Sequence, residues 1–174
     1  MSFIKEYAIA LPHFRISDKV LSPHGGKGQH AICYTDEDII TLAFQACEKI
    51  ESEIDAILFS TTTPVFKDRY HSSYLADLLG LKEGVFALDL GSTNRAGTDA
   101  IVLADRLLKS GSNENILIVA TDVHYPAIGN EAKSSFGHAA VAMVLSNNDG
   151  IAKITEAKTY SSAMSEEFIY RGEK

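Results

Sequence analysis

The chain has 174 residues, of which 45% are hydrophobic and 22% are charged, and its formal net charge is −7. This length corresponds to about one domain, and the composition is that of a globular protein rather than of a disordered chain. Nucleic acids and anionic membrane surfaces bind clustered cations, and this acidic sequence has no arginine-rich stretch, so we expect neither as a partner.

Targeting and redox signals are weak. The sequence has no run of about 18 apolar residues, which a transmembrane helix would require. The N-terminal stretch MSFIKEYAIALPHF has a short apolar core that Glu6 interrupts, so we expect no signal peptide. Two cysteines, Cys33 and Cys47, do not make a disulfide framework. We therefore expect a cytoplasmic protein with reduced thiols.

The first third of the chain predicts a strand, a long connection and a helix. FIKEYAIALP alternates as a strand does and ends at Pro12. Residues 13–35, rich in Gly, Ser and His, predict a long loop, which is typical of a functional segment, of a segment exchanged with a partner, or of poor order. The helix in TDEDIITLAFQACEKIES is expected to be capped by Thr35 or Asp36. Its apolar face consists of Ile39, Leu42, Ala43, Ala46, Cys47 and Ile50.

The remaining segments alternate between strands and helices. IDAILFSTTTP predicts a buried strand, SSYLADLLGL a helix closed by Gly80, GVFALDLG a strand and AGTDAIVLADRLLKSG a helix ended by Gly111. ENILIVATD, HAAVAMVLSN and GIAKITEAKTY predict three further strands. The order β-α-β-α-β-α-β-β-β indicates an α/β fold with a mostly parallel, helix-covered sheet and an antiparallel addition at its end. The third helix is apolar over most of its circumference, which predicts that it is buried between two sheets.

Two other kinds of site fit the sequence poorly. The dinucleotide fingerprint G-x-G-x-x-G follows none of the predicted strands, and HGGKGQH lacks the spacing of a phosphate-binding P-loop. His24, His30 and Cys33 do not have the spacing of a zinc site, so we expect no metal. Cys47 lies on the apolar helix face and is expected in the core.

The segment DLGSTNRAGTDAIVLADRLLKSG resembles the nucleophile segment of the thiolase superfamily, in particular that of ketoacyl-ACP synthase III and of 3-hydroxy-3-methylglutaryl-CoA synthase. DEDIITLAFQAC, IDAILFSTTTP, SSYLADLLGL, NILIVATDV and SFGHAAVAMVLS agree with these families in the same order, so the resemblance spans Phe3 to Ser146. It implies that residues 1–174 form a single thiolase-like N-terminal domain (β-α-β-α-β-α-β-β) with a mixed, mostly parallel sheet and a buried helix. The complete five-layered fold has two such halves. The C-terminal half, with the catalytic His of the family, is then expected from a longer chain or from another polypeptide.

Asn94 occupies the place at which this resemblance implies catalysis. Aligning NRAGT with the C-x-A-G-[FT] pattern of the family puts Asn94 on the position of the nucleophilic Cys. An amide nitrogen with a delocalised lone pair is a poor acyl acceptor, so we expect no self-acylation. The local pattern also makes Asn94 a good helix N-cap, a role that Ser92 or Thr93 can fill as well. Two interpretations stay open: a cap only, or a cap whose amide also polarises a thioester carbonyl.

Five further residues are candidates for binding substrate. Arg95 can serve an anionic partner or remain solvated, and Thr62 stands in STTTP, where hydroxymethylglutaryl-CoA synthases have a catalytic Glu. His124 follows the fourth strand at its carboxyl end, where ligands of α/β proteins bind. His138 replaces an Asp of the family and is also expected to be a hydrogen-bonded structural residue. The fifth candidate is Phe136, and His71, outside this set, is expected to cap or flank a helix.

Three functions are compatible with the sequence. The resemblance favours the N-terminal half of an acyl-thioester condensing protein that is not self-acylating, with acyl-CoA or acyl carrier protein as partner, the thioester as substrate and no further cofactor. The first alternative is a non-catalytic partner subunit of a thiolase-fold complex. The second is a generic α/β ligand-binding module. The family resemblance also implies a homodimer through the third strand, from Val85 to Leu90.

Overall fold

The computed structural model describes residues 1–21, 27–91, 93–124 and 137–160. Its elements, in chain order, are β1 (Ser2–Ala10), β2 (Phe14–Ser17), α1 (Asp18–Leu21), β3 (Gln29–Ile32), α2 (Ile39–Cys47), β4 (Ala56–Ser60), α3 (His71–Leu78), β5 (Phe86–Leu90), α4 (Ala96–Ser110), β6 (Asn115–Asp122), β7 (Ala139–Ser146) and β8 (Ala152–Ile154). Among the described segments, no helix combines the length and the apolarity needed to cross a membrane.

Six strands form one sheet in the order β5-β4-β6-β7-β1-β8. Strand β4 pairs in parallel with β5 and β6, whereas β6 with β7, β7 with β1 and β1 with β8 are antiparallel. Strands β1, β4, β5 and β6 therefore run in one direction, and β7 and β8 in the other. The expected α/β fold with a mixed, mostly parallel sheet is confirmed. The last predicted strand is shorter than expected, because β8 pairs only through Ala152–Ile154.

Helices cover both faces of this sheet. All five residues of β4 are buried, because the strand lies between two neighbours and beneath helices on either side. Ile57 and Phe59 pack towards α2 and α3 in one apolar cluster, and Leu58 packs towards α4 in another. This alternation within one continuous apolar run is typical of a strand that is buried on both faces.

Among the described residues, helix α4 packs on one sheet. Ala96, Ala100, Ala104 and Leu108 are buried against the sheet, and the small alanines bring the helix close to it. The apolar residues beyond this buried stripe are only half-buried: Ile101, Val102, Leu103 and Leu107. The six-stranded sheet of the described chain supplies one of the two layers, and burial of α4 between two sheets stays a prediction. Gly111 ends the helix with φ of +79°, as predicted.

The predicted long loop contains regular structure. Strands β2 and β3 form a separate two-stranded antiparallel ribbon, with Phe14 opposite Ile32 and Ser17 opposite Gln29. Helix α1 follows β2, and the Asp18 carboxylate accepts a hydrogen bond of 2.9 Å from the Gly28 amide and contacts His30 Nε2 at 2.6 Å. The prediction of a loop over these elements is wrong, because four-residue strands give too short a pattern for periodicity to detect. Residues 22–26 of the segment lie outside the described residues.

Helix α2 begins later than the sequence predicted. Asp38 is its N-cap, and Asp38 Oδ1 accepts hydrogen bonds from the backbone N–H groups of Ile40 (2.8 Å) and Thr41 (2.9 Å). Thr41 Oγ1 in turn accepts from the Asp38 N–H at 2.7 Å, which completes a capping box. The predicted caps Thr35 and Asp36 are wrong, because both precede the cap and lie in a turn outside the helix.

We expect Asp38→Ala to lower the free energy of unfolding by about 1 kcal/mol, because the substitution removes both acceptor bonds of the cap. Asp36→Ala is the matched control, since Asp36 is exposed and near the same helix end, and it should change stability by less than about 0.5 kcal/mol. Urea unfolding followed by circular dichroism measures both values. Equal effects of the two substitutions would contradict the assigned cap.

Candidate functional site

A cavity of about 230 Å³ lies where the carboxyl ends of β4 and β6 meet the start of α4. Parallel strands end at the same edge of a sheet, so segments far apart in sequence converge there. Pockets for drug-sized ligands have volumes of about 300–1,000 Å³, so this cavity fits a smaller group. Asn94 and Thr62, both predicted from the sequence, are among its lining residues: Ser60, Thr61, Thr62, Thr93, Asn94, Ala96, Gly97, Ala120, Thr121, Asp122 and Ala139.

The carboxylate of Asp122 shapes one wall of the cavity. Asp122 Oδ1 accepts hydrogen bonds from the backbone N–H groups of Thr62 (2.6 Å) and Thr63 (3.1 Å). The hydroxyl groups of three consecutive threonines also lie within hydrogen-bond distance of this oxygen: Thr61 (3.0 Å), Thr62 (3.0 Å) and Thr63 (3.1 Å). One oxygen at the end of β6 therefore holds the whole turn that follows β4, and with it the position of Thr62.

Asn94 lies in the turn before α4 and is not its N-cap. The N-cap is Arg95, whose own side chain makes no capping bond. Thr93 supplies the local acceptors, since its carbonyl oxygen accepts from the Ala96 N–H at 3.0 Å and its Oγ1 from the Arg95 N–H at 3.3 Å. The interpretation of Asn94 as a cap is therefore wrong, whereas Thr93, the alternative, binds at the helix start. Within the described part of the chain the exposed Asn94 amide has no hydrogen-bond partner, so it is available to a ligand.

The Arg95 side chain makes its contact outside the cavity. Its guanidinium group pairs with Asp99 one turn along α4, at 3.2 Å, and both side chains are largely exposed. Asp99 thereby compensates for a cation at the positive end of a helix dipole. Arg95 does not line the cavity, and its role in binding substrate stays a prediction.

The two candidate histidines belong to one hydrogen-bond network beside the cavity. His124 Nε2 lies 2.9 Å from Thr62 Oγ1. Because the Asp122 carboxylate can only accept, Thr62 donates its hydroxyl proton to Asp122 and accepts the Nε2–H of His124. His138, which is buried, accepts from the Cys33 N–H at Nδ1 (2.8 Å) and donates from Nε2 to the His124 carbonyl oxygen (2.9 Å).

His138 is thus held by backbone groups rather than directed into the cavity. Burial lowers its pKa below the ordinary value of 6.5, although the hydrogen bond to the His124 carbonyl acts in the opposite direction. The neutral imidazole is the form that this geometry requires, because Nδ1 must keep a lone pair for Cys33. Phe136, the remaining candidate, lies outside the described residues.

Comparison with known proteins agrees with this architecture. The chain is 30% identical over 141 residues to a hydroxymethylglutaryl-CoA synthase of Caldivirga maquilingensis, covering 77% of this chain and 40% of that protein. It is 26% identical over 165 residues to a β-ketoacyl-[acyl-carrier-protein] synthase III of Aquifex aeolicus, covering 88% of this chain and 52% of that protein. The chain therefore spans about half of the length of these curated relatives, or less. No protein-family model matches it.

Solved structures share the fold. A crystal structure of 3-oxoacyl-(acyl-carrier-protein) synthase III superposes with a TM-score of 0.78 at 20% identity, covering 86% of this chain and 51% of that one. A crystal structure of HMG-CoA synthase complexed with CoA gives a TM-score of 0.74 at 19% identity, covering 84% of this chain and 42% of that one. In sequence and fold the chain is therefore similar to these thiolase-like proteins.

Neither cysteine of this thiolase-like chain is an activated thiol. Burial, together with the charges of Glu37 and Asp38, raises the pKa of Cys33 to about 11. Burial raises the pKa of Cys47 to about 12. Nucleophilic cysteines in enzymes have lowered pKa values and an accessible sulfur. Neither cysteine lines the cavity beside Asn94, so neither can replace a thiol there.

His71 and Asp89 form a buried pair that holds the segment after β4. This pairing was not predicted from the sequence. His71 is the first residue of α3, and its ring lies between those of Phe59 and Phe66, with centroids 5.3 and 5.0 Å away. His71 Nδ1 donates to Asp89 Oδ2 at 2.7 Å, and Nε2 accepts from the backbone N–H groups of Val65 and Phe66 at 3.1 Å each. Both ring nitrogens are thus engaged, so the pair is a structural brace and not a catalytic dyad.

The Asp89 carboxylate also holds the start of α3. It accepts hydrogen bonds from the backbone N–H groups of His71 (2.8 Å) and Ser72 (2.9 Å). Burial by itself raises the pKa of Asp89, but the hydrogen bonds from Ser72 and His71 outweigh it, and the pKa lies below its usual value. A sequence signal for Asp89 exists, because a carboxylate within the apolar run FALDL must find partners when it is buried. Asp122 gives the same signal at the end of ILIVATD.

We expect Asp122→Ala to lower the free energy of unfolding by about 1.5–3 kcal/mol, because the threonine turn loses its shared, charged acceptor. Asp99→Ala is the control, since it removes an exposed ion pair and should cost less than about 1 kcal/mol. Chemical denaturation measures both. If Asp122→Ala were no more destabilising than Asp99→Ala, the turn would not depend on this carboxylate.

Proposed function

We propose that the chain is the N-terminal half of an acyl-thioester condensing protein related to 3-oxoacyl-ACP synthase III and hydroxymethylglutaryl-CoA synthase, and that it binds an acyl thioester without becoming acylated. The observation that carries the proposal is the Asn94 amide, which lines the cavity at the start of α4 without a hydrogen-bond partner in the described chain. Relatives of the same fold were solved with CoA and with an acetyl donor-ACP, which supports a thioester of CoA or of a carrier protein as the ligand.

The chemistry of the cavity suits a carbonyl group rather than covalent catalysis. The Asn94 amide can donate a hydrogen bond to a thioester carbonyl oxygen, and the α4 N-terminus favours negative charge developing there. With a malonyl thioester, the C–C bond to the carboxylate would break, CO₂ would leave, and its bonding electrons would form an enolate that takes a proton from water. The Asn94 amide would stabilise that enolate oxygen, so decarboxylation is the most that this half would catalyse.

A second half is part of this proposal. The chain spans 40% and 52% of the two relatives described above, and the family resemblance implies that the catalytic His lies in the other half. The half-buried apolar residues of α4 (Ile101, Leu103 and Leu107) would be covered by that half, since an apolar helix face that is left exposed marks an interaction surface.

We expect acetyl-CoA to bind the protein reversibly and to leave its intact mass unchanged. Asn94→Ala should weaken this binding about fivefold, as the loss of one neutral hydrogen bond would. Asn148→Ala, an exposed change outside the cavity, should have no effect. Calorimetric titration measures the binding, and mass spectrometry after incubation with acetyl-CoA or malonyl-CoA detects acylation.

Each outcome of that experiment has a definite meaning. An acyl adduct on Cys33 or on any other side chain of the wild type would overturn the non-acylating proposal. Formation of acetyl-CoA from malonyl-CoA that is lost in Asn94→Ala would support decarboxylation through this residue. No binding of either thioester to the wild type would favour a generic ligand-binding module.

The second candidate, a non-catalytic partner subunit, is favoured by the position of β5. This strand forms the outer edge of the sheet, and Phe86 at its start is 48% exposed. The Leu90 carbonyl oxygen accepts from the Thr61 N–H next to β4, so the N–H and C=O of Ala87, which is an odd number of residues away, face the open edge. An unpaired edge of this kind can pair with the same edge of a second copy, which would give a homodimer through Val85 to Leu90.

We expect the wild type to sediment as a dimer and Ala87→Pro to sediment as a monomer, because proline removes the N–H that faces the open edge and leaves the β4 side intact. Ala87→Ser, which keeps that N–H, is the matched control and should remain dimeric. Sedimentation velocity at micromolar concentrations distinguishes the two states. A monomeric wild type, or a dimeric proline variant with an unchanged thermal transition, would exclude this interface.

A further inference from the structure

A continuous hydrogen-bond path joins the β2–β3 ribbon to the cavity. At the ribbon, the Ala31 carbonyl oxygen accepts from the His138 N–H at 2.9 Å, and the Cys33 N–H donates to His138 Nδ1 at 2.8 Å. His138 Nε2 then donates to the His124 carbonyl oxygen, and the His124 ring contacts Thr62, each at 2.9 Å. The path therefore ends on a residue that lines the cavity together with Asn94.

His138 is the one residue of this path that touches three separate segments. It stands at the entry to β7, and its ring bonds to Cys33 after β3 and to His124 after β6, while its backbone N–H bonds to Ala31 in β3. Its ring is 1% exposed, so water does not replace these contacts in the folded state. An imidazole with one acceptor and one donor nitrogen can accept from the Cys33 N–H and donate to the His124 carbonyl oxygen at the same time.

We propose that His138 is a positioning residue that fixes His124, and through it Thr62, against the Asn94 side of the cavity, so that ligand binding there depends on the neutral His138 imidazole. The ligand class rests on the function proposed above, namely an acyl thioester whose carbonyl oxygen meets Asn94 and Thr62. The positioning itself is a property of the ligand-free chain and can be tested without that ligand.

Protonation should break the path at a defined point. A proton on Nδ1 would face the Cys33 N–H, so two donors would oppose each other at 2.8 Å. The hydrogen bond between Cys33 and His138 would then break. Among the described residues, Glu37 and His124 are charged or titratable groups that act on His138, and the buried Cys33 thiol stays neutral at physiological pH. Because burial depresses the pKa of His138 below 6.5, the path is intact at neutral pH and is lost as the pH falls through this lowered pKa.

Two substitutions each remove one of the two ring hydrogen bonds of His138. His138→Asn places an acceptor near Nδ1 and lacks the donor that reaches the His124 carbonyl, whereas His138→Gln keeps a donor near Nε2 and lacks the acceptor for Cys33. In ligand-free protein, nuclear magnetic resonance should show the Nε2–H tautomer of His138 in the wild type. His138→Asn should shift the Thr62 and His124 signals, and His138→Gln should shift mainly the Cys33 amide. Signals of Thr62 and His124 that are unchanged in both variants, with thermal transitions like that of the wild type, would overturn the proposal.

Binding gives a second readout. We expect His138→Asn to weaken acetyl-CoA binding about three- to tenfold at pH 7.5 and His138→Gln to weaken it less. Binding to the wild type should decline as the pH falls through the lowered pKa of His138, and the decline should persist in His124→Gln, which keeps a donor for Thr62 but removes the other imidazole ring. A decline that disappears in His124→Gln would assign the pH dependence to His124 instead. If the wild type bound no thioester at all, the proposed function would fail, and the resonance experiment would still decide the role of His138.

Discussion

The carboxylate of Asp122 is the interaction on which the candidate site depends. A turn of three threonines has no intrinsic reason to adopt one conformation, since each hydroxyl can bond to neighbouring backbone groups in several ways. Asp122 removes this freedom because one of its oxygens accepts from the backbone of Thr62 and Thr63 and lies within bonding distance of all three hydroxyls. The parallel pairing of β4 with β6 brings the two strand ends together, so the sheet topology and the site geometry have a common origin.

The opposite wall of the cavity is set by the start of α4. Thr93 bonds to the first amides of the helix, and this leaves Asn94 outside the capping interaction, with its amide unpartnered in the described chain. The small residues Ala96 and Gly97 let the helix start approach β6, and a Cβ atom added at position 97 would lie 3.7 Å from the Ala120 Cβ. A cavity lined by hydroxyl, amide and carboxylate groups, beside a helix N-terminus, is suited to hold a polarised carbonyl oxygen.

Sequence patterns predicted most of the fold because its main elements are long or strongly apolar. The runs around β4 and β6, the buried stripe of α4, and the glycines that follow α3 and α4 (Gly80 and Gly111) each give a local signal that the tertiary structure reinforces. The ribbon of β2 and β3 was not predicted, because its stability comes from pairing between short segments, which no single window of sequence contains. The cap of α2 was misplaced because Thr35, Asp36 and Asp38 are all good caps, and only the contact with Thr41 decides between them.

For the site, Asn94 and Thr62 could be chosen from the sequence, whereas the roles of Asp122 and Asp89 depend on partners about 60 and 18 residues away in sequence.

The distribution of buried polar groups separates what the fold needs from what a ligand would use. The His71 ring and the Asp89 carboxylate are saturated by backbone and side-chain partners, and His138 is bonded at both ring nitrogens, so these groups support the architecture. Asn94 differs from them, because it is exposed in the cavity wall and no described residue satisfies its amide. An exposed amide needs no protein partner for stability, since water satisfies it at little cost. The Asn94 amide therefore matters for a ligand that displaces this water. The helix N-terminus beside it favours a ligand oxygen that carries partial negative charge.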